Sequence, residues 1–480
     1  MAAIMGLWST ALDAVHTKSM IDKNVRLSAN SLHIGTGIDA KSYPLHSRNV
    51  HVVAFGKAVI GMVSAIEPIL GSYLTTGIAS IPTGMMDSLR QYSRTDLLPS
   101  PNSRIKIYEG ANLNIPDAAC LKTSVEIHDL VASLTSSDIL LALISGGGSS
   151  LLTLPIAPIT VQELAATNRM LSKAGASINE LNTVRKQTEH LKGGGLHHLA
   201  APADVISLIL SDVVGDPLDI IASGPTVNDD STAEEALAIL HNRLGSTSNV
   251  PASVISVLEK NDKAQWLKNL SVSMDPFNLI VGSNKIAVNA ASEYGEAQGI
   301  STFILTTEMI GDATEVGVNF ANIASRLLKG DSDPLHGLFP DTKFDSGLNS
   351  SLLAAFTASR QNGHPFCILC AGETTVNVQG SGRGGRNQEM CLSAAIEMNS
   401  IGLPAGVTFA SIGTDGQDGP TDAAGAVVNS LTAEHGLDVK AYLQNNDSYS
   451  YFTAIDNGNC LIKTGLTGTN VMDIQLMYFP

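Results

Sequence analysis

Asp138–Ser150 reads DILLALISGGGSS, an apolar run that breaks into glycine and serine. Ile139 to Ile144 predicts a buried strand, and Ser145, Gly146, Gly147, Gly148, Ser149 and Ser150 follow it as a turn. Three adjacent glycines carry no Cβ, so their N–H groups are free to face a ligand, with three hydroxyls beside them. A glycine-rich turn directly after a buried strand is where α/β proteins hold phosphate; the alternative is a flexible turn with no ligand. Asn49–Phe55, NVHVVAF, ends the same way at Gly56-Lys57-Ala58, with an apolar helical stretch behind it. Lys57 is thereby expected at the carboxyl edge of a sheet, the edge at which open α/β sheets bind ligands.

Other chemistry-bearing residues recur at similar junctions. SINELNTVRKQTEHLKGGG, Ser177–Gly195, gathers Arg185, Lys186 and Lys192 ahead of three glycines. A solvated helix face explains that cluster as well as an anion site does. The strand DVISLIL, Asp204–Leu210, runs into Asp212 and Asp216, two carboxylates placed for Mg2+, for accepting a proton, or for capping turns. GSGRGGRNQE, Gly380–Glu389, is formally GxGxxG between a strand and a helix. It reads as a dinucleotide site or, because Arg383 and Arg386 lie in and beside it, as a phosphate site at a helix start. In GTDGQDGPTD, Gly413–Asp422, the carboxylates of Asp415, Asp418 and Asp422 resemble a divalent-cation or hydroxyl-binding loop, although the terminal glutamate of an EF-hand is missing. KTGLTGTNVMD, Lys463–Asp473, adds a last loop of this kind. Cys367 and Cys370 sit inside the apolar run FCILC and read as core residues rather than a zinc or redox pair.

The elements that must position these residues alternate strand and helix along the chain, which predicts an α/β fold. A length of 480 residues suggests two or three domains, and 44 % hydrophobic against 15 % charged residues fits a well-buried enzyme rather than a disordered chain. The weakly patterned Gly245–Val250 is the expected boundary, giving domains at 1–245 and 246–480, with 331–350 as an exposed loop. A net charge of −16 argues against nucleic acid and anionic membrane as partners. It also requires any site for an anionic substrate to gather cations locally or to use a metal ion. Five scattered cysteines form no disulfide framework and point to a reducing compartment. No run approaches a membrane span, and the N-terminus lacks a secretory pattern. It reads as an ordinary first helix, with the cytoplasm expected and mitochondria as the second choice.

Taken in order, ISGGGSS, LNTVRK with LKGGGL, LILSDVVGD with IASGPT, GSGRGGRNQE, GTDGQDGPTDAAG and TGLTGTNVMD resemble the glycerate kinases that make 2-phosphoglycerate, the family with the MOFRL C-terminal domain. The resemblance runs from about Asn49 to Asp473 and is nearest to the animal members. It implies two α/β domains, the larger N-terminal one Rossmann-like, with the active site in the cleft between them. It implies phosphorylation of D-glycerate by ATP with Mg2+, in serine, hydroxypyruvate and fructose-derived glycerate metabolism. Lys57 and Arg386 match the family's proposed catalytic lysine and arginine. Ser150 stands where many members have alanine, and Cys370-Ala371 precede Gly372-Glu373 where two glycines are common; both are small-for-small changes. On this reading Asp212 joins Lys57 and Arg386 in catalysis. Residues 145–150, Lys192, Gly382, Gly384, Gly385 and Asn387 hold the nucleotide. Arg383, Glu373, Asp415 and Asp418 face glycerate, and Asp216 and Asp422 hold Mg2+. The residues alone do not rank the carboxylates, and Arg386 suits either the transferred phosphoryl group or the glycerate carboxylate. Two other readings stand beside this one: an NAD(P)-dependent hydroxypyruvate reductase, resting on GxGxxG, and a non-enzymatic sugar-phosphate sensor. Monomer and homodimer both stay open.

Overall fold

The computed structural model describes residues 1–246, 249–270, 275–455 and 458–480. The chain forms two compact units, one of Thr17–Val281 and one of Met1–His16 with Gly282–Pro480.

The first unit opens with a small antiparallel sheet, β1 (Val25–Ser28), β2 (Ser31–Ile34) and β3 (Lys41–Pro44). Its main sheet holds β4 (Asn49–Phe55), β5 (Leu74–Pro82), β6 (Ile105–Gly110), β7 (Asp138–Ser145), β8 (Asp204–Leu210) and β9 (Phe277–Gly282). They lie in the order β6-β5-β4-β7-β8-β9, and the pairs from β6 to β8 are parallel. Counted within the sheet this is 3-2-1-4-5-6, the doubly wound Rossmann order, and the direction of winding reverses between β4 and β7. Every residue of β7 is buried, and in β4 only Asn49 is exposed. Near-continuous apolar runs are what a parallel strand covered on both faces requires. Phe55 lies opposite Ile144, so the residues that follow each strand emerge side by side at the reversal point.

The second unit carries β10 (Ser301–Met309), β11 (Phe366–Gly372), β12 (Thr408–Gly413), β13 (Gly425–Val428), β14 (Leu461–Ile462) and β15 (Asp473–Phe479), ordered β10-β11-β15-β12-β13-β14. β10 and β11 are parallel, whereas β15 runs antiparallel to both its neighbours. The helix Arg386–Ser400 buries Met390, Cys391 and Ala394 in one core with Phe320 and Ala324 of the helix Ala313–Leu328.

Two aspects of the expected organisation differ. The division between units falls at Val281/Gly282 rather than at 245/246. Val254, Val257 and Leu258 share a core with Ala236 and Leu240, and Lys263 Nζ donates to the carbonyls of Glu189, His190 and Lys192 at 2.8, 2.6 and 2.9 Å. These contacts keep the chain past Gly245 in the first unit. Of the expected boundary stretch, residues 247 and 248 lie outside the described residues. The first helix, Ala2–Ala14, belongs to the second unit, where Ile4, Leu7, Trp8 and Ala11 form its buried face. It approaches the helix Asn284–Ala297 so closely that a Cβ on Gly6 would meet Tyr294 Oη at 2.6 Å. The segment 331–350 has no regular structure until the helix Leu348–Gln361 begins, yet Leu335, Phe339 and Thr342 are buried. Leu335 and Phe339 join the core of the second unit, and most of the segment's other residues are exposed, as expected of a surface loop. Cys367 and Cys370 are buried on β11, as expected of core residues, and all five cysteines are free.

Candidate active site

In the first unit the strand ends of β4, β7 and β8 converge. The Lys57 amide donates to the Gly146 carbonyl at 2.8 Å, and the Ala58 amide donates to Ser145 Oγ at 3.0 Å. Gly56 has φ +143°, and a Cβ there would meet Ser145 Oγ at 2.2 Å. Glycine at 56 is what lets the two turns touch. A Cβ on Gly146 would fall 1.6 Å from Asp212 Oδ2, so the carboxylate just past the end of β8 lies against the glycine turn. A Cβ on Gly147 would lie 3.0 Å from Lys57 Cγ. Lys57, the 146–148 turn and Asp212 therefore form one group, as the strand-to-glycine pattern predicts. Burial pushes the Asp212 carboxyl up, and the charge of Lys57 pulls it back. A carboxyl held between these influences beside a lysine is suited to take a proton from a substrate hydroxyl.

Of the three serines, Ser145 is engaged with Ala58, and Ser150 Oγ donates to the Asn114 carbonyl at 2.7 Å. Asp216 adopts φ +55°, and its Oδ1 is buried with no hydrogen-bond partner among the described residues. Such an oxygen fits Mg2+, which takes one or two carboxylates and completes its shell with water and phosphate oxygens. Among the described residues no three His, Cys, Asp or Glu side chains cluster to hold a metal ion unaided.

In the second unit Asp473, 1 % exposed, opens β15 in register with Gly372 of β11 and Gly413 of β12. Arg386, first residue of its helix, forks onto it, with Nε 2.5 Å from Oδ2 and Nη2 3.0 Å from Oδ1. Arg386 Nη1 reaches Glu373 Oε1 at 2.8 Å. Among the described residues these contacts engage three of the five guanidinium N–H donors, so two face no partner there and suit a ligand. Burial works against the charge on Arg386, but Asp473 and Glu373 outweigh it, and the guanidinium is held charged well above its ordinary range.

Residues 3–259 match the family described as a domain of unknown function (DUF4147), and residues 366–473 match the MOFRL family. The chain is 41 % identical over 490 residues to a glycerate kinase of Danio rerio, covering 99 % of this chain and 96 % of that one. The chain belongs to the glycerate kinase family. A glycerate kinase of Homo sapiens is 39 % identical to it, with 98 % and 92 % of the two chains covered. A D-glycerate 2-kinase of Thermotoga maritima is 35 % identical, with 90 % of each covered. The crystal structure of a glycerate kinase from Thermotoga maritima superposes with a TM-score of 0.77 at 30 % identity, over 100 % of this chain and 99 % of that one.

Several residues expected to touch ligand are committed elsewhere in this member of the glycerate kinase family. Lys192, expected at the nucleotide, is fully buried, its Nζ 2.7 Å from Glu189 Oε2 and 2.8 Å from the Leu152 carbonyl. The amides of Asn387 and Gln388, at the helix start expected to bind phosphate, donate to Asp418 at 3.1 and 2.9 Å. Asp418 is thus the cap of that helix and not a group facing glycerate; burial pushes its carboxyl up to about 6 despite these bonds. Asn387 is likewise internal, its Oδ1 accepting from Ser411 Oγ at 2.6 Å. At Gly382, Gly384 and Gly385 a Cβ would come within 2.3 Å of Asp447, Ser448 and Asp418 in turn. The loop amides of Gly382 and Arg383 donate to the Asn445 carbonyl and Asp447 Oδ1. These glycines serve close backbone packing, with no dinucleotide cradle. The helix after the loop leads to β12, which runs the same way as β11 but with antiparallel β15 inserted between them, so the adjacent parallel pair of the fingerprint is missing; with its glycines spent on packing, the reductase reading loses its basis.

The remaining expectations divide. Arg383 lies over the Tyr449 ring at 4.8 Å. Asp415 Oδ1 accepts from the Gln417 amide in a turn. Both carboxylate oxygens of Asp422 are engaged, by Tyr449 Oη at 2.7 Å and Lys463 Nζ at 3.0 Å, a pairing with a cation that favours a surface clasp over a metal ligand. Glu373 does belong to the Arg386 group. Asp473 was the residue not singled out from the sequence. Its signal is an acidic residue closing TNVMD immediately before the apolar run IQLMYF.

Proposed function

We propose that the chain transfers the γ-phosphoryl group of ATP to the 2-hydroxyl of D-glycerate, in serine, hydroxypyruvate and fructose-derived glycerate metabolism. The observation that carries this reading is the meeting of Lys57, the 146–148 turn and Asp212 at the reversal point of a Rossmann-ordered sheet, in a chain so similar to glycerate kinases. The 2-position is supported by the likeness to the Thermotoga maritima D-glycerate 2-kinase.

Phosphoryl transfer needs mostly positioning and charge neutralisation. The bare turn at 146–148 holds phosphate oxygens, and Lys57 offsets the charge that spreads over the transferred group. The substrate hydroxyl oxygen bonds to the γ-phosphorus while the bond to the bridging oxygen breaks, so that ADP leaves. The hydroxyl proton passes to Asp212. Arg386, kept charged by Asp473 and Glu373, offers its two remaining donors to an anionic oxygen of the reactants. Asp216 would hold Mg2+, which when bound neutralises the phosphate oxygens. We expect Asp216→Asn to raise the Mg2+ concentration for half-maximal ADP release by about tenfold, the worth of one charged ligand. Asp422→Ala, whose carboxylate is spent on Tyr449 and Lys463, should leave that concentration unchanged.

Among the described residues no helix is long and apolar enough to cross a membrane. The charge of −16 supports a small-molecule substrate without a nucleic-acid partner, and five free cysteines support a cytoplasmic location. The deciding assay supplies ATP, Mg2+ and D-glycerate and reads the product with a coupling enzyme that accepts only the 2-phosphate isomer. The expected product is 2-phosphoglycerate. Absence of glycerate-dependent ADP release, or 3-phosphoglycerate as the product, would overturn the proposal.

A further inference from the structure

Three cations crowd Arg185–Lys192 in an acidic protein, and their fates differ. Lys192 is spent on Glu189, and Lys186 on Asp229 at 3.2 Å and Asp219 at 3.5 Å. Arg185, half-buried, has no ion pair within 4 Å among the described residues, although Glu189 acts on it from further away. It lines a cavity of about 240 Å³ together with Ser149, Ser150, Asn114, Asn168 and Arg169. No carboxylate lines that cavity, which holds two arginines in a chain of net charge −16. Asn168 Oδ1 is buried without a hydrogen-bond partner among the described residues. The cavity continues directly from the glycine turn, because Ser149 and Ser150 are the two residues after Gly148. It is smaller than the roughly 300 Å³ at which pockets for drug-sized ligands begin, so it suits a small acid better than a whole nucleotide.

We propose that this cavity is the acceptor subsite, in which the Arg185 guanidinium binds the carboxylate of the hydroxy acid and Asn168 accepts a hydrogen bond from one of its hydroxyls. The inference rests on the glycerate kinase reading and adds the residue that recognises the acid. A planar fork matches a carboxylate through two parallel hydrogen bonds. An acceptor such as Asn168 Oδ1 needs a donor, which glycerate has in its hydroxyls and an ionised phosphate group lacks. Arg185 is accordingly a specificity residue, and Arg386 is left for the phosphoryl group.

The test compares Arg185→Met and Arg185→Lys with the wild-type chain in the ADP-release assay, titrating D-glycerate and ATP separately. For Arg185→Met the KM for D-glycerate should rise on the order of 10- to 100-fold, the worth of a hydrogen-bonded charge, with the KM for ATP within about twofold. Arg185→Lys keeps the charge without the fork and should fall between the two. It serves alone if the Met variant does not fold. Binding of D-glycerate to the wild-type protein in the absence of ATP, read by calorimetry, should weaken in the same order. A rise in the KM for ATP instead would give the cavity to nucleotide phosphate and overturn the inference, as would unchanged constants for both substrates. Failure of the kinase reading looks different, since the wild-type chain itself would then release no ADP.

Discussion

Lys57→Ala should lower kcat roughly 10²–10³-fold, the usual cost of removing one preorganised positive group from a site of charge development. The chain should remain folded. Lys57 is exposed, and no ion pair within 4 Å holds its ammonium among the described residues. Its amide, which bonds the Gly146 carbonyl, is retained by alanine. Substitutions at such surface positions change stability by about 0.5 kcal/mol or less. The loss should appear mainly in kcat, with KM for ATP changing less, because the charge on the transferred group grows on the way to the transition state. Steady-state kinetics alongside a thermal melt separate the two effects. A melt close to wild type with near-normal kcat would remove Lys57 from the mechanism, while a collapsed melt would make it a structural residue.

What is legible in the sequence depends on how local its physical cause is. The strand-to-glycine junctions at Phe55 and Ile144 follow from a few adjacent residues, and so do the parallel sheet they imply and the meeting of Lys57 with the 146–148 turn. Asp212 was legible for the same reason, as an acid at the end of a buried strand. The failures are all questions of pairing. Lys192 and Arg185 are both cations of one motif, and only the packing of Glu189 decides that the first is neutralised and the second is not. Asp418 and Asp473 are both acids near glycine loops. Their roles exchange because β15 inserts antiparallel between β11 and β12, which sets Asp473 beneath Arg386, 87 positions earlier in the chain. The glycines of GxGxxG were visible, but their reason was not. Close backbone approach is common to a phosphate cradle and to packing on the 445–448 segment, and sequence spacing does not distinguish them.

Arg386→Ala should lose both activity and stability, and the two losses can be separated. Asp473 is 1 % exposed, and its carboxylate faces the Arg386 fork. Removing the arginine strands that charge in the fold. Breaking a buried pair from one side costs about 3–5 kcal/mol, and the low end applies because Arg386 keeps a third of its side-chain surface. Catalysis should fall roughly 10²–10³-fold in the fraction that remains folded, since the charge presented to the reactants is gone. Asp473→Asn retains the shape of the fork and the charge of Arg386 but weakens the grip on it. Its activity should drop far less than that of Arg386→Ala, by about tenfold, through loss of orientation rather than of charge. Arg386→Lys is the sharper test. It keeps the positive charge and offers Asp473 a partner, so stability should largely return, but a point charge cannot hold Asp473 and Glu373 and still offer two donors to a ligand. Recovery of the melt without recovery of kcat places Arg386 at the reaction. Recovery of both would mean that any cation suffices there, and parallel loss of both in all three variants would reduce Arg386 to a structural clasp for β15.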